Sequence, residues 1–375
     1  MAATLYANNA GTSWPKAPGV FEACRTALSC APEDSQAALL AAHTETCRAF
    51  GIEQPDRLLL TGSCTAALAL LIGDLPLHEG DVVLSSALEH HALSRPLQQW
   101  VRTRGIVHEL APYVPGAPLD LDFVRDRLQQ GRVRLIAVTA ASNVTGELLP
   151  IEALAQLARE HDVPLLLDAA QTACVMPLDL RTLPVDMLVF AGHKGPLAPH
   201  GIGGLWAAPH VVLQSPAAVC EVTPDASRPR GPLPCASFPG ACDVGSANLV
   251  AAAGLAAALR WRREQRDDLF EHPRALARRL RGALRQQLGC RVFGGESAPS
   301  TATVSFCIDA LPLARAEAHF AQRGIAVRAG QHCAPLALQA IGAPEGTIRV
   351  SFGPFNRDSD VDAIVDAVAG AVVPG

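Results

Sequence analysis

Between residues 56 and 208, short apolar runs alternate with segments in which apolar positions recur at helical spacing. This alternation is typical of a mostly parallel sheet with helices on both faces. One helix is expected to begin near Pro150, because a stripe formed by Ile151, Leu154 and Leu157 follows this proline. The pattern predicts seven strands, in the segments RLLLTGS, VVLSSAL, IVHEL, LIAVTAAS, PLLLDAA, MLVFAG and GGLWAA.

A proline-rich segment interrupts the alternation. Ser215–Asp243 holds six prolines, which exclude a helix or an inner strand, and we expect a long loop there. Beyond it, a small-residue helix (SANLVAAAGLAAALRWRREQ) leads into strands TVSFCID, IAVRAG and TIRVSFG and helices LARAEAHFAQRG and DVDAIVDAVAGAVV. We therefore predict an α/β protein with a large domain, residues 13–253, and a smaller domain, residues 1–12 and 254–375.

Composition narrows the class of protein. The net charge is −5 and no run of five Lys or Arg residues occurs, so nucleic acid is not an expected partner. The start, MAATLYANNAG, lacks signal-peptide features, and the longest apolar run, Leu249–Leu259, is shorter than the roughly 18 residues that span a bilayer. Most of the eleven cysteines are isolated in apolar segments, and no Cys/His spacing suits zinc. We expect a cytoplasmic protein with no membrane partner and no metal.

Polar residues stand where several predicted strands end, and ligands of an open α/β sheet bind at the carboxyl ends of strands. Lys194, in LVFAGHKGPLAPHGIGG, is unusual because no acidic residue in this segment neutralises it. We therefore expect its partner to come from elsewhere in the chain. The other polar residues at strand ends are Ser63 and Thr65, then Glu89, His90 and His91, then Asn143, and finally Asp168 and Gln171.

Three of these residues also have an ordinary structural explanation. The Thr65 turn either offers backbone N–H groups to an anion or only caps a helix. His90 is either a catalytic candidate or a structural hydrogen-bonding residue. Asp168, directly after three leucines, either caps a helix or meets a cation in a cleft. One ligand, pyridoxal phosphate, would satisfy the set, with Lys194 as its Schiff-base lysine, Asp168 at its pyridine nitrogen and the Thr65 turn at its phosphate.

Six motifs, in order over nearly the whole chain, resemble those of the class V aminotransferase family of fold type I pyridoxal-phosphate enzymes. They are NNAGTS, EHHA, SNVTG, DAAQ, GHKG and RAGQHCAP. The nearest resemblance is to cysteine desulfurases with a short active-site cysteine loop, the branch that includes selenocysteine lyase-like proteins. The resemblance implies a large domain with a mostly parallel seven-stranded sheet between helices, a smaller C-terminal α/β domain, and a homodimer.

The resemblance also implies how the residues act. Lys194 would form the Schiff base, Asp168 would pair with the pyridinium, Gln171 would contact the ring hydroxyl, and His90 would stack on the ring as a catalytic residue. The phosphate would be held by Cys64, Thr65 and His193. The substrate carboxylate would be held by Asn143 and Arg349, and Cys333 would be the nucleophile that accepts sulfur.

The residues themselves support the last two roles. Arg349 lies inside an apolar strand pattern, which suits either a bidentate anion contact or a structural salt bridge. Cys333 stands in a loop-like segment beside Arg328 and His332, and these electropositive surroundings favour a thiolate. The other ten cysteines fit a buried structural role better.

Four features depart from the family's pattern. Ala191 replaces the serine before GHK, Ala66 replaces the glutamate after the phosphate-turn threonine, and Asn8 replaces the aspartate of the N-terminal motif. The glycine/threonine-rich loop that reaches a partner subunit's phosphate is replaced by EVTPDASRPRG. We expect these changes to weaken cofactor binding without changing which cofactor is bound.

The sequence thus predicts a pyridoxal-phosphate-dependent cysteine desulfurase, which converts L-cysteine to L-alanine, forms a persulfide on Cys333 and transfers sulfur to an acceptor protein with a free thiol. Because QHCAPLALQAIG runs directly into a predicted helix, we expect a short loop and a partly shielded cysteine. The alternatives are another class V enzyme, such as a transaminase or a C–S or C–Se lyase, and a non-catalytic binding protein. The motifs do not distinguish cysteine from selenocysteine.

Overall fold

The structure, a computed structural model, describes residues 5–213, 247–265, 268–287, 289–295 and 298–372. The strands are β1 (Leu5–Tyr6), β2 (Leu58–Thr61), β3 (Val82–Ser86), β4 (Val107–Ala111), β5 (Val133–Thr139), β6 (Leu165–Asp168), β7 (Met187–Ala191), β8 (Gly203–Ala207), β9 (Cys290–Val292), β10 (Thr303–Ile308), β11 (Ile325–Ala326), β12 (Arg328–Gly330) and β13 (Thr347–Ser351). The helices are α1 (Val20–Ser29), α2 (Pro32–Phe50), α3 (Cys64–Asp74), α4 (His91–Arg104), α5 (Leu121–Gln129), α6 (Ile151–Glu160), α7 (Leu249–Glu264), α8 (Asp268–Arg285), α9 (Leu313–Ala321), α10 (Pro335–Ala340) and α11 (Asp358–Val372).

The larger sheet has seven strands in the order β2-β8-β7-β6-β5-β3-β4. Neighbouring strands are parallel except at β8, which is antiparallel to both β2 and β7. Strands β3, β6, β7 and β8 are buried along their whole length, as expected where helices cover both faces of a sheet. All seven strands predicted from the apolar runs are present, and the predicted α/β fold class is confirmed.

The smaller sheet is antiparallel, with the strand order β12-β13-β10-β9. Next to it, β1 pairs in parallel with β11, so that Leu5 lies opposite Ile325. Residues of α8, α9 and α11 pack on this sheet and form a hydrophobic core of their own, which includes Leu280, Phe306 and Ile364. The helices and the strands TVSFCID and TIRVSFG predicted for the C-terminal part of the chain are present, whereas the predicted strand IAVRAG is divided into β11 and β12, which lie in different sheets.

Two hydrophobic cores organise the described residues. The larger core surrounds the seven-stranded sheet and includes the buried face of α7. The predicted boundary between residues 253 and 254 falls within α7, and the division into residues 13–253 and residues 1–12 with 254–375 stays a prediction. The predicted loop Ser215–Asp243 lies outside the described residues. In the described ranges, no helix combines the length and hydropathy needed to cross a membrane.

Candidate active site

Asp168 ends β6 at the carboxyl edge of the larger sheet, opposite Thr139 at the end of β5. The residue is buried, and its Oδ1 accepts hydrogen bonds from the Ala170 backbone N–H at 2.8 Å and from the Cys64 thiol at 3.5 Å. Burial raises the pKa of Asp168, whereas the Ala170 N–H and the charge of Lys194 act to lower it. Turn residues rather than a helix follow Asp168, so it caps no helix.

Lys194 lies three residues after β7, the strand that neighbours β6. Burial lowers the pKa of its ammonium group, and the negative charge of Asp168 acts in the opposite direction. The acidic partner of this lysine therefore comes from β6 and not from its own segment. The chain contains only one other lysine, Lys16.

A cavity of about 70 Å³ opens beside Lys194. Arg349 and Cys333 do not line this cavity. Asn143 in the lining accepts a hydrogen bond from Arg349 and donates one to His332, the residue before Cys333. The strand ends that the apolar pattern indicated therefore meet in one place. The predicted site residues in the cavity lining are Cys64, Thr65, His90, Asn143, Asp168, Gln171, His193 and Lys194.

The N-terminus of α3 faces the same cavity. The helix begins at Cys64, and the Ser63 hydroxyl oxygen accepts a hydrogen bond from the Ala66 backbone N–H at 3.1 Å. The sequence analysis placed the helix entry at Thr65 and missed this cap, although a serine three residues before Ala66 is the usual signal. Because the first N–H groups of a helix have no partner within the helix, this turn can bind an anion. Ala191 is buried in the same lining and offers no hydroxyl.

Two histidines of the cavity are neutral near pH 7. The Nδ1 atom of His90 accepts a hydrogen bond from the Ala92 backbone N–H at 3.0 Å, so the proton of the neutral ring lies on Nε2. Burial, and then the charge of Lys194, lower the pKa of His90 to about 4 and that of His193 to about 3. The buried Nδ1 of His193 has no hydrogen-bond partner within the described residues.

Arg349 lies in β13 and is 4% exposed. Its Nη1 donates to the Asn143 carbonyl oxygen at 2.9 Å, and its Nη2 donates to Oδ1 of Asn8 at 3.2 Å. Burial lowers the pKa of Arg349 to about 10. In the part of the chain that the structure describes, Nε is buried without a partner and no carboxylate pairs with the guanidinium. The structural salt bridge that we considered for this residue is therefore not found there.

Cys333 lies on the short loop between β12 and α10. Two hydrogen bonds of 2.8 Å fix the loop, one from the His91 backbone N–H to the Cys333 carbonyl and one from Asn143 Nδ2 to the His332 carbonyl. His332 and Cys333 have φ angles of 50° and 54°, a left-handed conformation that is uncommon for residues other than glycine. Since α10 begins at Pro335, the loop is as short as predicted.

The structure changes two expectations about Cys333. We expected a partly shielded thiol, but the residue is exposed in this chain. We also expected positive charge from His332 and Arg328. Burial lowers the pKa of His332 to about 3, so its ring is neutral, and Arg328 forms an ion pair with Glu317 at 3.3 Å. His332 therefore adds no positive charge beside Cys333, whereas the charge of Arg328 acts on His332 and Arg349.

Glu89 has a role that the sequence analysis did not assign. It is fully buried, its Oε1 accepts a hydrogen bond from the Ser86 hydroxyl, and its Oε2 accepts one from the Thr139 backbone N–H at 2.8 Å. Burial raises the pKa of Glu89 to about 8. The side chain thus joins the ends of β3 and β5 directly before His90. An acidic residue just after the strand VVLSS, three residues from Ser86, was the signal for this role.

The groups present fit pyridoxal phosphate. Asp168 offers a buried carboxylate, Lys194 offers an amine of lowered pKa, and the start of α3 offers an anion site. The Nε2 atom of Gln171 donates to the Ala10 carbonyl at 3.0 Å and keeps a second N–H for a ligand. Buried polar atoms without partners in the described chain usually mark a missing ligand or water, and Asn143 Oδ1 is such an atom in the cavity lining. The fold and this set of residues are those of a pyridoxal-phosphate protein.

Comparison with known proteins agrees with this assignment. The sequence profile of the family described as aminotransferase class-V matches residues 25–364. A probable cysteine desulfurase of Pseudomonas aeruginosa is 36% identical over 314 residues, which is 82% of this chain and 76% of that protein. The chain belongs to the aminotransferase class-V family.

Solved structures show the same fold. The apo structure of a cysteine desulfurase from Thermococcus onnurineus NA1 matches with a TM-score of 0.91 at 24% identity, over 98% of this chain and 94% of that one. The cysteine desulfurase CsdA of Escherichia coli, in an S-sulfonic acid form, matches with a TM-score of 0.87 at 26% identity and the same coverage. The predicted family and fold are thereby confirmed.

Proposed function

We propose that this chain is a pyridoxal-phosphate-dependent cysteine desulfurase, which converts L-cysteine to L-alanine and keeps the sulfur as a persulfide on Cys333. The observation that carries the proposal is one hydrogen bond, from Asn143 in the cavity lining to the His332 carbonyl, which joins the cavity of Lys194 and Asp168 to the loop of Cys333. The names of the relatives from P. aeruginosa and E. coli support it.

Pyridoxal phosphate, when bound, supplies an electron-withdrawing ring that stabilises the charge left when a proton leaves the substrate Cα. In this proposal Asp168 would keep the ring nitrogen protonated, Lys194 would bond to the aldehyde, and Gln171 would contact the ring hydroxyl. His90, whose Nε2 carries the proton of the neutral ring, would stack on the cofactor ring. The start of α3, with Cys64, Thr65 and His193, would hold the phosphate.

Lys194 is suited to move the proton of the substrate Cα. A neutral amine is a base. Burial lowers the pKa of Lys194 and so favours the neutral form of its amine. The Nζ atom takes the proton and can return it when the product forms. The negative charge of Asp168 acts against the effect of burial on this pKa.

Arg349 binds the substrate carboxylate. Its buried guanidinium contacts only a backbone carbonyl and an amide oxygen in the described chain, and it keeps an unused Nε–H. A carboxylate would give this buried charge a strong charge-assisted hydrogen bond. Asn143, which keeps a second amide N–H, assists in binding the same carboxylate.

Cys333 takes the sulfur. Its thiolate forms a bond to the substrate sulfur, the bond from that sulfur to Cβ breaks, and the bonding electrons remain on carbon, which is then protonated to give alanine. The charge of Cys333 acts to raise the pKa values of Lys194 and Arg349. These two cations therefore place positive charge near the reacting sulfur.

An acceptor protein with a free thiol removes the sulfur in this proposal. Cys333 is exposed, and its loop is too short to carry the persulfide to a distant site, so the acceptor must approach the loop. We also propose a homodimer. Phe21 and Leu28 are each 73% exposed and lie on one face of α1, and Trp14 is exposed before that helix, as is typical of a surface that a second subunit covers.

Incubation of the loaded protein with L-cysteine tests the proposed function. With dithiothreitol, alanine and sulfide should form in equal amounts, and without it alanine formation should stop once Cys333 is loaded. Pyruvate and ammonium in place of alanine would indicate a C–S lyase. A protein that binds no cofactor and gives no product would be better explained as a non-catalytic member of the family.

A further inference from the structure

Helix α7 packs closely enough for Arg262 to contact the residue that follows Lys194. Helix α7 packs against α1 and α2, and its buried face consists mainly of alanine, glycine and leucine. A Cβ atom on Gly254 would lie 2.5 Å from Pro199 Cγ and 2.9 Å from Cys24 Sγ, so only glycine allows this approach. The last turns of the helix therefore reach the segment that follows Lys194.

Arg262 donates hydrogen bonds to two segments of the site. Its Nε donates to the Gly195 carbonyl oxygen at 3.1 Å, and its Nη2 donates to the Cys174 carbonyl oxygen. Gly195 directly follows Lys194. Cys174 lies in the turn that follows Asp168, and its φ angle of 54° is left-handed. Within the described residues, no other hydrogen-bond donor contacts either carbonyl.

The two segments also touch each other at this point. A Cβ atom on Gly195 would clash with the Ala173 carbonyl oxygen and would lie 2.6 Å from Val175 Cγ2. The arginine therefore holds two backbone segments in contact, one carrying Lys194 and one carrying Gln171. A displacement of either carbonyl would move a group that lines the cavity.

The charge of Arg262 has no carboxylate partner among the described contacts. Its guanidinium lies 5.7 Å from the centre of the Phe270 ring, and its Nη1 is buried without a partner in the described chain. Burying a guanidinium against carbonyl groups alone costs free energy. Arg263, the next residue, is exposed instead and pairs with Glu45 at 3.4 Å.

We propose that Arg262 is a positioning residue for Lys194, which fixes the Gly195 carbonyl against the turn that carries Gln171 and so sets where the amine of Lys194 lies in the cavity. The proposal rests on the proposed function only in naming Lys194 as the lysine that bonds to the cofactor. A guanidinium suits this role because Nε and Nη2 are separate donors in a rigid planar fork, whereas a lysine has a single nitrogen on a flexible stem.

The test compares Arg262→Met and Arg262→Lys with Arg263→Met as the matched control. Apoprotein is mixed with pyridoxal phosphate, and the rate of covalent attachment to Lys194 is followed by absorbance and by fixation with borohydride. We expect attachment to slow by about ten-fold or more in Arg262→Met, which corresponds to one lost hydrogen bond to a charged group, and by less in Arg262→Lys. Arg263→Met should behave as wild type. With L-cysteine, kcat should fall while KM stays unchanged.

A purely structural role gives a different result. Thermal unfolding of the apoproteins would then show a loss of stability, while attachment and kcat of the folded variants would match wild type, and this outcome would overturn the proposal. If Arg262→Met does not fold, Arg262→Lys decides in the same way. Attachment is measured without cysteine, so failure of the desulfurase proposal, seen as no alanine from wild type, is distinguished from failure of this one.

Discussion

At the scale of single residues, the two lysines of the chain differ in their surroundings. Lys194 lines the cavity and interacts with Asp168. Lys16 lies nearby, and its Nζ donates to the Ser13 hydroxyl at 3.1 Å and to the His193 carbonyl at 3.2 Å. Burial lowers the pKa of both amines, that of Lys16 to about 8, and so increases the neutral fraction that can react with an aldehyde. Only Lys194 has a carboxylate beside it among the described residues.

This difference predicts which lysine bonds to the cofactor. After borohydride reduction, mass spectrometry of peptides should find the cofactor on Lys194 alone. Lys194→Ala should abolish the fixed cofactor, and Lys16→Ala, which removes the only other lysine, should retain it. Cofactor fixed on Lys16, or still fixed in Lys194→Ala, would show that the assignment is wrong.

Asp168→Asn tests the proposed partner of the ring nitrogen. An amide cannot hold that nitrogen protonated, so kcat should fall by on the order of 10³-fold while the fold is kept. Asp186→Asn is the control, because Asp186 bonds to the Leu165 backbone N–H and to His210 outside the cavity. Steady-state kinetics with circular dichroism gives both readouts. Near-normal turnover in Asp168→Asn would mean that another group pairs with the ring.

At the scale of helices and strands, the strands with long apolar runs could be predicted, whereas strands of two or three residues could not. The strands of the larger sheet give clear runs because helices cover both faces. In contrast, β1 and β9 have two and three residues, which is too short for any pattern, and β1 pairs with β11 near the other end of the chain. The neutral state of His332 was also unpredictable, since it depends on burial by residues distant in sequence.

The end of β7 allows a prediction about cofactor retention. Ala191→Ser restores a hydroxyl in the cavity lining, and one hydrogen bond to a charged phosphate is worth roughly 1.5–3 kcal/mol, or about ten- to a hundred-fold in affinity. Cofactor loss on dialysis should therefore slow. Ala207→Ser, at the end of β8, is the control for burying a hydroxyl away from the cavity. An unchanged rate of loss in Ala191→Ser would show that another group already binds the phosphate.

At the scale of the whole molecule, two cores meet around the candidate site. Groups from the larger sheet line the cavity, whereas Arg349 comes from the smaller sheet and contacts Asn143 across the junction. The sequence could place the cavity residues at strand ends and Arg349 inside a strand. Only the packing of the two sheets shows that Arg349 donates a hydrogen bond to the Asn143 carbonyl, in the loop after β5. The Arg262 contacts likewise depend on how closely α7 packs.

The exposed face of α1 predicts the oligomeric state. Light scattering after size exclusion should give the mass of a dimer for wild type, and Phe21→Glu combined with Leu28→Glu should shift it to a monomer, because charges would be buried in an apolar contact. Val114→Glu is the control, at a valine that is 62% exposed away from α1. A wild-type monomer, or a dimer in the double variant, would exclude this face as the subunit contact.

The most direct test of the desulfurase proposal compares two variants, Cys333→Ala and its control Cys30→Ala. Alanine release from cysteine is measured in each, and the position of the persulfide is mapped. These residues are the two exposed cysteines of the described chain, which makes Cys30 a matched control. Wild type and Cys30→Ala should release alanine from cysteine and carry the added sulfur on Cys333. Cys333→Ala should bind cysteine but form no persulfide and release no alanine from it. Its release of alanine from selenocysteine should fall less, because selenium leaves more readily. Alanine release from cysteine at the wild-type rate in Cys333→Ala would contradict the proposal and leave Cys333 outside the reaction.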